Sequence, residues 1–383
     1  MQFENYRRKK EFEYKDLIDI LKLSNEMCIR GQQQRAQEST TVMKPLLRSM
    51  PVARLKVHIN VDIKEFSDLV KLVQTHGPEF REDADYNIDL RSLMRVEEEL
   101  KLLDSLIGLP KFKNAVLDQV LYFVQQLHTD GNDSDFLHTI LCGPPGTGKT
   151  EAAKILGRMY SKIGILKNSV FKKVTRSDLI GGYLGQTAIK TTKVIQECLG
   201  GCLFIDEAYS LANRGDAQSS SGNDSYSKEC LDTLCEALSD HKANLMVIIA
   251  GYENELMETI FKANRGLESR FIWRFVLDEY SAKDLMDIFL KKVRDNRWST
   301  EASFIRDIGG ATWFEKRKPE FPHFGRDMEL LFSYTKCSHS RRIYGKQNEL
   351  RKQLSLADLT QGYETLLSNR RKKETYEIPG FYV

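Results

Sequence analysis

Apolar and polar positions divide the chain into three stretches with different periods. From about Glu98 to Tyr280, short apolar runs of strand length alternate with amphipathic stretches, which is the pattern of a parallel α/β sheet. Strands are expected at Phe136 to Cys142, Val170 to Val174, Cys202 to Asp206, Leu245 to Ala250 and Phe271 to Leu277. Helices are expected between them at Lys149 to Lys162, Thr187 to Leu199, Ser227 to Asp240 and Glu253 to Ala263. Beyond Tyr280 the strand signal fades. Ala282 to Arg294, Arg326 to Lys336 and Ala357 to Leu367 keep a helical period, so a smaller helical domain follows.

Residues 1–97 read as a region apart, mixed α/β or helical. A helical stretch near Tyr14 to Met27 precedes a Gln-rich link at Gly31 to Thr41 and a strand at Arg54 to Val61. Asp62 is placed to cap a helix through Val73, and Gly77-Pro78 with the acidic residues after it marks a break. The domain division expected from these patterns is 1–97, then 98–279, then 280–369, with 370–383 as a tail. The one low-complexity patch is Ser219-Ser220-Ser221-Gly222, and there is no internal repeat.

Composition narrows the class. With 383 residues, 41% of them hydrophobic, the chain can bury a substantial core. Its 57 basic and 54 acidic residues leave a net charge of +3, which provides no general attraction for nucleic acid or an anionic membrane. The basic run Arg7-Arg8-Lys9-Lys10 reads as a solvated end. Seven scattered cysteines without a CxxC pair suggest neither a disulfide framework nor a zinc site. The N-terminus lacks the apolar stretch of a secretory signal, and no apolar run reaches the roughly 18 residues that span a bilayer. The expectation is a soluble, intracellular, cytoplasmic protein.

The chemistry is concentrated in two places. Gly143-Pro144-Pro145-Gly146-Thr147-Gly148-Lys149-Thr150 lies between a predicted strand and a predicted helix, the setting a phosphate-binding loop requires. Its glycines let backbone N–H groups point inward around a phosphate, and the helix N-terminus adds its positive end. Lys149 is expected to reach the β and γ oxygens of ATP, and the Thr150 hydroxyl to ligate Mg²⁺. Further on, the apolar run from Cys202 ends in Asp206-Glu207. An acidic pair after a strand is by itself an ordinary helix start. Beside a phosphate loop it reads differently: Asp206 would hold Mg²⁺ through its water shell, and Glu207 would polarise the water that attacks the γ-phosphate.

The order of Ile107-Gly108-Leu109, the phosphate loop, Leu179-Ile-Gly-Gly-Tyr-Leu-Gly-Gln-Thr-Ala188, Leu203-Phe-Ile-Asp-Glu-Ala-Tyr209, Ile249-Ala-Gly-Tyr252 and Gly266-Leu-Glu-Ser-Arg-Phe271 resembles the sporulation-protein-K and red-type rubisco activase group of AAA+ proteins. The likeness runs over roughly residues 98–369. It implies a sheet in the order 5-1-4-3-2, an α-helical lid, and a hexamer with ATP at subunit interfaces. It also places Ile107 and Gly108 at the nucleotide. By the same resemblance Arg270 reaches into the neighbouring subunit's site, with Arg265 as the alternative, and Arg326 touches the γ-phosphate within its own subunit. The residue after the fourth strand, often a polar sensor, is Tyr252 here, as is usual in this group. Residues 1–97 have no counterpart in the resemblance.

The function expected is that of an ATP-driven, ring-forming remodeller that pulls on a protein client, with Tyr183 on the central loop as the gripping residue. Three glycines surround Tyr183, so the loop can move and the ring has little to pack against. An AAA+ nucleic-acid motor or clamp-loader-like ATPase is the alternative. Near-neutral charge and an aromatic loop stand against it, and Lys172, Lys173 and Arg176 near that loop stand for it.

Overall fold

Each of the five strands expected between Phe136 and Leu277 forms, within a few residues of its apolar run. In the computed structural model the described residues are 55–129, 135–183, 185–212, 222–346 and 350–375. Strands β1 (Thr139–Cys142), β2 (Phe171–Val174), β3 (Cys202–Ile205), β4 (Met246–Gly251) and β5 (Trp273–Val276) make one parallel sheet. Its spatial order is β2-β3-β4-β1-β5, which is the 5-1-4-3-2 order expected, read from the other edge.

The apolar runs are continuous because both faces of the three inner strands are covered. Alternate residues divide between two cores. Ile140, Leu203, Ile205, Val247 and Ile249 face one way, and Leu141, Phe204, Met246, Ile248 and Ala250 the other. Helices α1 (Phe66–His76), α2 (Leu90–Arg95), α3 (Glu97–Asp104), α4 (Pro110–Val124) and α5 (Lys149–Ile163) contribute to the second core. Helices α6 (Gln186–Glu197) and α7 (Gly222–Asp240) contribute to the first. Phe66, Leu69 and Leu93 share a core with Leu141 and Leu156, so packing continues across the boundary expected at residue 97. Residues Lys56–Val383 accordingly cluster as one unit.

Three local expectations change. Asp62 does not cap α1; Asp68 reaches back from inside the first turn to accept the N–H groups of Lys64 and Glu65, at 3.3 and 3.1 Å. The helix expected over Glu253 to Ala263 is broken into Glu253–Leu256, a wide π turn at Met257–Phe261, and Arg265–Glu268. Thr259 donates to the Glu255 carbonyl at 2.5 Å inside this segment, the kind of back-bond that bends a helix. Of the strand expected at Arg54 to Val61, Leu55–Val57 is present.

After the sheet come α8 (Ala282–Asp295), α9 (Phe324–Ile343) and α10 (Leu356–Thr375), with short helical segments at Phe304–Asp307, Thr312–Glu315 and Lys318–Glu320 between the first two. One parallel pair of two-residue strands, Ser299–Thr300 with Gln353–Leu354, is added to these helices. Asp358 fastens α9 to α10: Arg342 donates to it at 2.8 and 2.9 Å, and His339 Nδ1 lies 3.1 Å away. Tyr14 to Met27, Gly31 to Thr41, the run at residues 7–10, Ser219 to Ser221 and the tail from residue 376 lie outside the described residues.

Candidate functional site

The C-terminal ends of β1, β3 and β4 lie side by side, so the segments that follow them converge. This is where ligands bind in open parallel sheets, at the point where strand connections diverge. Cys142 pairs with Gly251, and the Gly143 N–H continues the ladder to the Gly251 carbonyl at 3.2 Å. Gly148, at φ 94°, turns the chain directly into α5, whose N-terminus faces the cleft.

A cleft of about 760 Å³ opens there, lined by Pro145, Gly146, Gly148, Lys149, Thr150, Asp206, Glu207 and Tyr252 from the sheet side. Ile107 also lines it, as do His323, Gly325 and Arg326 at the start of α9. Gly108 stands beside Ile107, at φ 64°, where a Cβ would come within 3.0 Å of the Asp284 carboxylate at the start of α8. The predicted nucleotide residues are thus brought to one place, with Arg326 among them.

The loop is held by its own hydrogen bonds. Lys149 Nζ donates to the carbonyls of Gly143 and Pro144 at 2.7 and 2.8 Å, and Thr147 Oγ1 to Pro144 O at 2.8 Å. Burial pulls the Lys149 ammonium below its ordinary pKa, while Asp206 and Glu207 pull it back up. Helix α9 is seated on the loop: the Gly325 N–H donates to Gly146 O at 3.1 Å. Gly146 has φ 77°, and a Cβ there would lie 2.0 Å from the His323 carbonyl oxygen, so no other residue fits.

At the acidic pair, Thr150 Oγ1 lies 3.4 Å from Asp206 Oδ2, and Asp206 Oδ1 accepts the Glu207 N–H at 3.1 Å. Glu207 is exposed to the cleft at φ 50°, a left-handed conformation uncommon for a glutamate and the kind of backbone strain found at active sites. A hydroxyl beside a carboxylate is an oxygen donor set suited to a hard cation.

Arg270 is not part of this cleft. Its guanidinium donates to Ser239 Oγ at 2.7 Å and to Gly266 O at 2.6 Å. Arg265 is exposed and has no hydrogen bond or ion pair to a described residue. Tyr183 lies away from the cleft at 74% exposure. The base of its loop is fastened, with Gly181 N–H donating to Thr187 Oγ1 at 3.1 Å and Thr191 Oγ1 to Leu179 O at 3.0 Å.

Sequence reasoning missed three contributors. Tyr280 donates to the Thr147 carbonyl at 2.9 Å from a buried position, and that burial pushes its phenol up to about 12. Tyr209 packs on Tyr252 with ring centroids 5.9 Å apart, and Lys149 Nζ is 5.5 Å from the Tyr252 ring centre. Lys173 reaches Asp206 Oδ2 at 2.5 Å. Helix α4, which carries the Ile107-Gly108 turn into the core, was also unpredicted; Pro110 at its first position was the available signal.

A phosphate loop, an acidic pair and a covering helical layer on a 5-1-4-3-2 sheet define a P-loop nucleoside triphosphatase. Residues 139–278 match the ATPase family associated with various cellular activities (AAA). A cfxQ-like protein of Acanthamoeba polyphaga mimivirus is 36% identical over 298 residues, covering 78% of this chain and 71% of that protein. Stage V sporulation protein K of Bacillus subtilis is 34% identical over 218 residues, 55% of this chain and 64% of that protein. The CfxQ homolog of Galdieria sulphuraria is 29% identical over 290 residues, 71% of this chain and 90% of that protein. The chain belongs to the AAA ATPase family, in the group of the CfxQ-like proteins and stage V sporulation protein K, and it hydrolyses ATP. Among the described residues no helix is long and apolar enough to cross a membrane.

Proposed function

We propose that this protein is a ring-forming, Mg²⁺-dependent AAA+ remodeller that uses ATP to pull on protein clients in the cytoplasm, as a hexamer. In this reading residues 98–279 bind nucleotide and residues 280–369 are the lid. The loop Gly143 to Gly148 cradles the phosphates and Lys149 neutralises them. Glu207 takes up a proton from the attacking water, and Arg326 contacts the γ-phosphate from α9. Thr150 and Asp206 hold Mg²⁺, which supplies charge neutralisation at the β and γ oxygens when bound. Arg270 serves the neighbouring subunit, in keeping with its absence from its own cleft.

The observation that carries remodelling is Tyr183, a large ring 74% exposed between Gly182 and the next glycine, on a loop whose base is fastened. Such a ring suits sequence-tolerant contact with an extended chain. The basic residues that favoured a nucleic-acid motor are occupied internally. Lys172 pairs with Glu197, Lys173 with Asp206, and Arg176 donates to the carbonyls of Ser210 and Leu211.

The deciding experiment is capture from the native cell with ATP and Glu207→Gln. A retained polypeptide that is lost when Tyr183→Ala is added supports the reading. Retention of single-stranded nucleic acid in place of protein would overturn it.

A further inference from the structure

We infer that Lys173 is a positioning residue that competes with Mg²⁺ for Asp206, and thereby sets how strongly the metal tightens nucleotide binding. The inference rests on the reading of Thr150 and Asp206 as the Mg²⁺ pair.

Asp206 has two oxygens with different duties. Oδ1 accepts the Glu207 N–H at 3.1 Å. Oδ2 faces the Thr150 hydroxyl at 3.4 Å and the Lys173 ammonium at 2.5 Å. The lysine therefore sits on the oxygen turned toward the metal side of the site. Strand register puts it there: on the edge strand β2, Lys173 pairs with Phe204, two residues before Asp206.

An exposed ion pair would carry little meaning, because solvent screens it. Here the Asp206 side chain is only 19% exposed and the Lys173 side chain 45%. One partner is fixed in the protein and the other can leave. The space for that movement is a second cleft of about 700 Å³ that shares Asp206, Glu207 and Arg326 with the first and is lined by Thr175, Arg176, Ser177 and Lys173 itself. Lys173 Nζ also lies 5.9 Å from the Phe204 ring centre, so the stem has an aromatic surface to rest on.

Two cations cannot share one carboxylate oxygen without repulsion. Mg²⁺ keeps most of its waters, so even when held at Asp206 through that shell it would feel the Lys173 charge on the same oxygen and would be held more strongly with the lysine turned away. Removing the lysine charge should strengthen the metal's effect on nucleotide by on the order of tenfold, the scale of one unit charge acting on a divalent ion through a few ångströms of water-like dielectric.

The test measures ADP binding to the whole chain by calorimetry, in excess Mg²⁺ and in EDTA, and reads the ratio of the dissociation constant in EDTA to that in Mg²⁺. Lys173→Met should raise that ratio about tenfold and lower the half-saturating Mg²⁺ concentration, and Lys173→Gln should do the same. Lys173→Arg, which keeps the charge, should stay near the wild-type ratio. A ratio unchanged or lowered in both neutral variants, with wild-type thermal unfolding, overturns the inference. Asp206→Asn separates this failure from failure of the metal assignment. It should bring the ratio toward one in either background, and a wild-type ratio in Asp206→Asn would overturn the assignment and the inference together.

Discussion

The nucleotide cleft and the Tyr183 loop follow strands of the same sheet and are built in opposite ways. In the cleft the phosphate loop and its neighbours are fastened: Lys149 by two carbonyls, the loop by Thr147 and Tyr280, Asp206 by the Glu207 N–H on one oxygen and Lys173 on the other, and α9 against Gly146. In the Tyr183 loop the described residues are tied by backbone and hydroxyl contacts, Gly181 N–H to Thr187 Oγ1 and Gln186 N–H to the Tyr183 carbonyl at 3.3 Å, while the Tyr183 ring is 74% exposed. Phosphate chemistry gains from groups that need no rearrangement at the moment of reaction. A gripping element gains from the ability to shift with nucleotide state and to accept different side chains. The comparison teaches where substitutions should cost rate and where they should cost work.

The largest effects should fall on the fastened side. Glu207→Gln should bind ATP with wild-type affinity and hydrolyse it about a thousandfold more slowly, because only the proton acceptor is lost. Nucleotide titration alongside phosphate release checks this; equal loss of binding would make Glu207 a structural residue. Arg270→Ala should lose turnover on a similar scale, about a thousandfold, while still binding ATP. Mixing Arg270→Ala with Lys149→Ala should restore part of the rate at interfaces that join an intact loop to an intact arginine. No recovery on mixing, with Arg265→Ala carrying the defect instead, would move the role to Arg265.

A smaller effect tests the scaffold beneath the cleft. His138, fully buried at the start of β1, accepts the Val247 N–H on Nδ1 at 3.2 Å and donates from Nε2 to the Leu238 carbonyl at 3.1 Å. Burial, helped by the nearby Arg270 charge, lowers its pKa to about 4 against an ordinary 6.5, while the Leu238 carbonyl opposes the shift. The unfolded chain therefore takes up a proton that the fold refuses. The contribution is complete above pH 6.5 and is lost as pH falls toward 4. Denaturant unfolding should show about 2 kcal/mol less stability at pH 5 than at pH 7.5, and less pH dependence in His138→Gln. The smallest effect on rate belongs to the free side: Tyr183→Ala should assemble and hydrolyse ATP within a few-fold of wild type while failing to retain a client. Dissociation to monomers on sizing would show instead that Tyr183 holds subunits together.

Much of this architecture is written locally. The runs 140–142, 202–205 and 246–251 carry no polar side chain because the inner strands are buried on both faces, so their existence and class need no tertiary knowledge. The glycine spacing before Lys149 and the carboxylates after Ile205 are equally local, since loop geometry and metal chemistry demand those residue types at those places.

Other features depend on where distant segments meet. Nothing near Tyr280 announces that its hydroxyl reaches the Thr147 carbonyl, and nothing near Lys173 announces Asp206 as its partner. Phe66 and Leu93 join the sheet core across a boundary that composition placed at residue 97. Arg270, legible as an arginine before a strand, turns out to be bonded to Ser239 and Gly266 rather than to its own cleft. By itself the sequence determined the strands, the phosphate loop, the acidic pair and the family. The tertiary structure alone decided which side chains share an oxygen, a carbonyl or a core, because those energies come from contacts between residues tens to more than a hundred positions apart, which no local pattern encodes.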